Sequence, residues 1–331
     1  MISFQNFHLT CAIKLGTLVI IKPILVALIV LSPTLSWAST TIADQNQTQE
    51  VEEPETGAAG TESITEAEKK KEDAILLVSL LANELETRLY KSGAILEITS
   101  RLPEVTSTPF ADSISPELHG IPRDADIPKR KVAQDILAAD KDFQVIFFLM
   151  PNGDMYLEEP YSLQENLTRN NFAFRDYYKG AVETGNTYLG NVIISAATGS
   201  PQAYIATPMY SENSNDGTHL VGLWIGGLNL TNLSKSLQSL NLTSNGEHIV
   251  YVDGQGQKVA DSDGSQSILT ANISTTQNES SFADLQTFKN AINGQSSGST
   301  TEIVNDTMMR VSYHTVKAFS NTWVVLFMQP L

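Results

Sequence analysis

The chain has 331 residues, 41% of them apolar, and a formal net charge of −16. That length holds one large domain or two modest ones, and the apolar share is enough to fill a core. The acidity excludes a nucleic-acid partner, because phosphate binding needs a basic face that displaces counterions.

Residues 1–38 carry Lys14 and Lys22, no acidic residue, and then the apolar run Ile24–Leu31. Ser36-Trp37-Ala38 follows, with small residues where a signal peptidase cuts. This pattern predicts a signal peptide cleaved after Ala38, the alternative being an uncleaved signal anchor. The uninterrupted run is short against the roughly 20 residues that a spanning helix needs. Cleavage would take the net charge from −16 to −18 and remove Cys11, the sole cysteine. An exported chain without disulfides depends on its core alone. Asn-x-Ser/Thr triplets at Asn46, Asn166, Asn229, Asn232, Asn241, Asn272, Asn278 and Asn305 are candidate glycan acceptors, predicting a glycoprotein.

Residues 39–62 are polar and acidic with Pro and Gly, the composition of a disordered linker. Order is expected from Ser63, where Ser63-Ile64-Thr65-Glu66 fits a capping box. Ile75, Val78, Leu81, Leu85 and Leu89 recur every three or four residues, continued by Leu96 and Leu102. The spacing predicts one long amphipathic helix over 63–103, with a bend at Gly93 and a stop near Pro103.

A shorter helix is expected over 128–143 and a hairpin over 144–160, turning at Pro151-Asn152-Gly153-Asp154. The stretch NNFAFRDYYKGA, Asn170–Ala181, reads as a short helix. Three strand-like segments follow at 187–199, 202–211 and 219–230, separated by Thr198-Gly199 and Asn215-Asp216-Gly217. A second pass repeats this grammar: a hairpin over 248–263, a helix over 281–294, and closing strands over 299–316 and 322–330. The fold class is α+β: a long N-terminal helix and two modules with antiparallel sheets.

These parts, in this order, resemble the double Cache extracellular sensor domain, a tandem of two PAS-like modules. The resemblance spans residues 63–331 and rests on FFLMPNGDMY, FAFRDYYKGAVETGNTYLGNV, SAATGSPQAYIATPMYS, GLWIGGLNL, YVDGQGQKVADSD and TWVVLFMQP, together with the helix. It implies a membrane-distal ligand-binding module over 104–240 and a membrane-proximal module over 241–331. It also implies a site. Amino-acid-binding members grip the ligand carboxylate with an Arg-x-Trp-Tyr run, matched here by Arg175-Asp176-Tyr177-Tyr178. Arginine suits that task because its planar fork donates two parallel bonds. Ser195, Tyr204 and Trp224 lie on strands expected to face the pocket, with an ordinary core role as the plainer reading of Tyr204 and Trp224.

Three positions depart from the family pattern. Ser195 and Gly227 stand where acids would hold a ligand ammonium, and Asn170 replaces a tyrosine. A buried ammonium without a carboxylate is costly. The expected ligand is therefore a small carboxylate or other polar metabolite without an α-ammonium, unless Asp154, Glu158 or Glu159 points inward.

No output module is read in the sequence up to Leu331, and three alternatives are expected: a message passed to a separate membrane signalling protein, a free binding protein, or a piece of a longer chain; the long helix offers a seam for a homodimer. The protein is expected to work outside the cytoplasm, secreted or tethered to the outer face of the membrane. The alternative is a glycosylated envelope protein that reuses the fold without a ligand. No catalytic activity, cofactor or metal is expected. The five histidines are scattered, no nucleophile–base constellation stands out, and Asp261-Ser262-Asp263-Gly264 lacks the closing glutamate of a calcium loop.

Overall fold

Residues Ala58–Thr99 form one helix of 42 residues, α1, in the computed structural model, which describes residues 58–213, 217–241, 246–263 and 282–331. The expected leader, the linker up to residue 57, the triplets at Asn46, Asn272 and Asn278, and Gly264 lie outside those residues. The helix begins ahead of the expected start at Ser63, and Glu66 pairs with Lys70 one turn on at 3.0 Å. Val78, Leu81, Leu85, Leu89 and Leu96 are buried as the spacing requires, joined by Ala74 and Ala82. Leu102 lies past the helix end and is exposed. Gly93 leaves α1 unbroken. A Cβ there would stand 2.1 Å from the Phe319 ring, so the glycine exists to let that ring approach.

After a four-residue helix α2 (Pro103–Thr106), α3 runs from Ile127 to Ala139. Asp126 caps it by accepting from the Lys129 N–H. The first sheet then forms from β1 (Phe143–Leu149), β2 (Met155–Glu159), β3 (Tyr188–Leu189), β6 (Tyr204–Asn213) and β7 (Gly217–Leu228), in the order β2-β1-β7-β6-β3. Between β2 and β3 come α4 (Tyr161–Glu165) and α5 (Asp176–Thr184). Two short strands, β4 (Ile193–Ile194) and β5 (Pro201–Gln202), pair only with each other as a separate ribbon.

Helix α6 (Leu230–Ser239) follows β7, capped by Asn229, whose side chain accepts from the Asn232 N–H. The second sheet contains β8 (His248–Val252), β9 (Lys258–Asp261), β10 (Ser297–Val304), β11 (Thr307–Ala318) and β12 (Asn321–Pro330), in the order β10-β11-β12-β8-β9. Helix α7 (Gln286–Ile292) packs on it. The segment 299–316, expected as one strand, folds back at Asn305 and Asp306, both with positive φ (49° and 61°). Short polar side chains tolerate that left-handed conformation, and it suits the twist of a tight hairpin.

Both sheets turn one face to α1. Ile146, Phe148 and Trp224 from the first sheet and Tyr251, Trp323 and Val325 from the second join the α1 leucines in one continuous core. The outer face of each sheet carries its own smaller core, around Phe147, Tyr177 and Tyr204 in the first and Val250, Phe288 and Leu326 in the second. Mixed helices and antiparallel sheets behind a long N-terminal helix are the architecture read from the sequence.

Candidate ligand-binding site

The stretch Asn170–Ala181 enters as an extended segment and becomes α5 at Asp176. The Phe172 N–H donates to the Gly153 carbonyl at 2.8 Å, pinning the segment to the β1–β2 turn. Arg175 occupies the N-cap position with extended backbone, which frees its side chain to run beneath β4. There its Nη2 donates to the Ile194 carbonyl at 3.0 Å, and its guanidinium lies 5.0 Å from the Phe174 ring centre. Its Nε is buried and has no hydrogen-bond partner among the described residues. Asp176 does not pair with Arg175; its two oxygens accept from the Tyr177 N–H at 2.8 Å and the Asn191 N–H at 2.7 Å.

Arg175 borders a small cavity between the outer face of the first sheet and the β4–β5 ribbon. Tyr177 and Tyr204 form its aromatic wall, ring centres 4.8 Å apart, and Phe147 meets Tyr204 edge-on at 5.7 Å. The Tyr204 hydroxyl donates to Gln202 Oε1 at 2.9 Å. Ser195 lies at the start of the ribbon's turn, where its carbonyl accepts from the Gly199 N–H at 3.0 Å and its side chain borders the cavity. Burial raises the pKa of both tyrosine hydroxyls, so they stay protonated at neutral pH.

The acid of the site is Glu158. A β-bulge opposite the Phe148/Leu149 step sets Tyr156 and Leu157 both in the α1-side core and brings Glu158, paired with Phe147, round to the cavity face. Its Oε2 is buried without a partner among the described residues. Burial pushes its carboxyl up to about 8, and the charge of neighbouring Glu159 adds to the rise. Glu159 points the other way, bonding Arg130 at 2.7 Å and Gln134 at 3.1 Å. Asp154 sits in the β1–β2 turn, bonded to Asn152 and Asn171. Gly227 has no room for an acid: a Cβ there would lie 2.5 Å from Gln202 Nε2 and 2.4 Å from Val145 Cγ1.

Of the residues singled out in the sequence, Arg175, Tyr177, Ser195 and Tyr204 come together around the cavity. Tyr178 does not line it; its hydroxyl donates to the Pro151 carbonyl at 2.5 Å and braces the β1–β2 turn. Trp224 faces α1, with its indole N–H donating to Thr99 Oγ1 at 3.0 Å, because strand alternation sends Leu223 and Ile225 to the cavity side instead. Glu158, Phe172 and Met155 belong to the lining as well, with Leu167 and the ribbon residues Ile193, Ala196 and Ala197. The cavity leaves about 20 Å³ of open space, room for roughly one water molecule. A larger occupant requires part of this lining to move. The paired elements, a planar cation and a carboxyl in an aromatic pocket, suit recognition of a small molecule with two polar ends.

The dCache_1 family, described as a Cache domain, matches residues 61–331. No curated protein matches the chain. Among solved structures it is similar to the ligand-binding domain of the Pseudomonas fluorescens chemoreceptor CtaA in complex with L-isoleucine (16% identity, TM-score 0.53), covering 82% of this chain and 96% of that one. The Pseudomonas aeruginosa PAO1 amino acid chemoreceptor PctB with L-Gln gives 16% identity and a TM-score of 0.52, covering 78% and 90%. The periplasmic sensory domain of the Campylobacter jejuni chemoreceptor Tlp1 gives 13% and 0.52, covering 80% and 96%.

Proposed function

The chain belongs to the Cache domain family, and from that premise we propose that it is an extracytoplasmic sensor module binding a small polar metabolite in the cavity of its first sheet. The reading is carried by one observation: Arg175 and Glu158 border the same cavity, each with a buried polar atom lacking a partner among the described residues. Arg175 takes the ligand's carboxylate. The expectation of a ligand without an ammonium rested on the missing acids at Ser195 and Gly227, and Glu158 removes that ground by supplying an acid from β2. As a neutral acid it donates to a ligand oxygen; as a carboxylate it receives an ammonium. Solved relatives hold L-isoleucine and L-glutamine, which makes amino acids the first probes.

Residues 104–240 form the membrane-distal binding module and 241–331 the membrane-proximal one, with a separate membrane protein receiving the signal. The role is binding, not catalysis. Two copies associate through α1, whose outward side carries a stripe of exposed residues that includes Leu76, Leu80 and Ile98.

A thermal-shift screen of amino acids alongside their 2-hydroxy acid analogues tests the site, since a ligand that binds only the native state raises its melting temperature. Arg175→Ala is expected to abolish every shift the wild type shows. Shifts that survive the substitution would place the ligand elsewhere. A screen without any hit favours a surface protein that uses the fold without a ligand.

A further inference from the structure

The link from β3 to β4 is gripped by both sheets. The Gly190 N–H donates to the Tyr204 carbonyl at 2.8 Å, within the first sheet's own neighbourhood. The next amide, Asn191, donates to Asp176 Oδ2 at 2.7 Å, and the one after, Val192, donates to Asp253 Oδ2 at 2.7 Å. Successive amides are thus held by two different carboxylates. Asp176 directly follows Arg175 at the mouth of α5. Asp253 belongs to the second sheet, in the β8–β9 turn, and is fully buried. A second contact runs beside it: Asn321, first residue of β12, donates its Nδ2 to the Leu189 carbonyl at 2.8 Å and to Asn191 Oδ1 at 3.2 Å.

Both grips come from stiff turns. Asp253 Oδ1 accepts from the Gln255 and Gln257 N–H groups at 2.9 and 2.8 Å, so its carboxylate is fixed in its own turn. Asn321 Oδ1 accepts from the Thr322 N–H at 2.8 Å. Gly254 has no Cβ because Asn321 Oδ1 and the Thr322 carbonyl stand 2.9 and 3.0 Å from where one would be, which lets the two turns abut.

What these turns hold is the stem of the cavity's cover. Val192 is followed at once by β4, whose Ile194 carbonyl receives Arg175. Among the described strands, β4 and β5 pair with none of either five-stranded sheet; the ribbon is held by this stem, by the Arg175 contact, by packing of Ile193, Ala196 and Ala197 on the outer core, and at its other end by the Ala203 carbonyl, which accepts from the Leu228 N–H at 2.8 Å.

We propose that Asp253 and Asn321 couple the second sheet to the cavity cover through residues 189–192. Opening the cover loads the Val192–Asp253 bond, and the position of the second sheet sets how readily the cover opens. The coupling is reciprocal, as linkage requires. It is a property of the protein without ligand, so it stands or falls independently of the ligand assigned above.

Hydrogen exchange of the full chain tests it. Asp253→Asn is the informative variant, because its amide oxygen keeps the turn's acceptor while an NH₂ group replaces the oxygen facing the Val192 N–H. Asn321→Ala removes the second grip and leaves Asp253 in place. For each variant we expect peptides over 192–203 to exchange at least tenfold faster, with β1 at 143–149 unchanged. In the reverse direction, Arg175→Ala, which frees Ile194, is expected to change exchange in the turn at 253–257. Faster exchange confined to 250–258, with the ribbon at its wild-type rate, overturns the proposal. So does equal loss of protection in β1 and the ribbon for both variants, since the contacts would then support the whole fold rather than the cover.

Discussion

Glu158 and Glu159 are adjacent in sequence and meet opposite environments. Glu159 is bonded to Arg130 and Gln134, whereas Glu158 stands in an aromatic cavity with one oxygen unpartnered. Its carboxyl is raised from the ordinary 4.5 to about 8. Between those values the unfolded chain releases the proton and the folded chain holds it, so this group makes stability fall as pH rises. Glu158→Gln removes the penalty. The variant is expected to melt with the wild type near pH 4.5 and to be the more stable protein at pH 8, by on the order of 4 kcal/mol if the shift is fully expressed. Asp253, also raised by burial, is common to both proteins and cancels in the comparison. Melting curves of the pair that run parallel from pH 4.5 to 8 would mean that Glu158 is solvated. The sequence pointed to Arg175 directly, whereas Glu158 was only one of three acids, with Asp154 and Glu159, that could point inward. Alternation counted from Met155, which faces the cavity, sends Glu158 away and Glu159 inward. The bulge reverses that assignment, and no residue of MYLEE announces it.

At the scale of elements, α1 presents two faces. Its inner face is the apolar stripe visible in the sequence. Its outer face carries Leu76, Leu80, Asn83, Thr87, Ala94 and Ile98, all exposed, at intervals of three, four or seven that keep them on one side of a 3.6-residue helix. Leu76, Leu80 and Ile98 are 58%, 60% and 68% exposed, more apolar surface in line than a solitary helix face needs. With polar Asn83 and Thr87 between the leucines and Ile98, the stripe suits a self-complementary pair of helices whose register is set by a few polar positions. Leu80→Glu is expected to convert a dimer to a monomer in sedimentation velocity. It should leave the monomer's fold intact, because exposed positions cost little on substitution. A wild type that sediments as a monomer at high concentration would remove α1 as the seam. The hairpins, the sheets and α1 were readable from period and turn chemistry. Helix α6 was overlooked although its signal was present: Asn229 as cap, then Leu230, Leu233 and Leu237 at helical spacing. The strand expected over 219–230 took in the cap and Leu230, because GLWIGGLNL carries its apolar run straight into the cap, and 231–239 was given no element.

At the scale of the molecule, the two sheets share a core: its α1-facing part is continuous from Ile146 and Trp224 to Trp323 and Val325. Burying α1 against one sheet alone would leave apolar surface of the other in water, so the sheets should unfold together. The chain contains three tryptophans, Trp37 in the expected leader, Trp224 in the first sheet and Trp323 in the second. In a Trp37→Phe background, Trp224→Phe leaves a reporter only in the second sheet, and Trp323→Phe only in the first. Trp224→Phe forfeits the bond to Thr99, a loss of about 1 kcal/mol, so each variant is compared with itself. Within each, urea unfolding followed by fluorescence is expected to coincide in midpoint and slope with unfolding followed by far-UV circular dichroism. Adding Leu85→Ala, at a fully buried position of α1, should lower the midpoint of both reporters, at a cost of about 2–5 kcal/mol. A second-sheet reporter that ignored Leu85→Ala, or a fluorescence transition displaced from the dichroism, would mean that α1 is not a shared spine. A signal would then have to pass between the sheets by other contacts, among them the turns at Asp253 and Asn321 and the packing of α6 on β9.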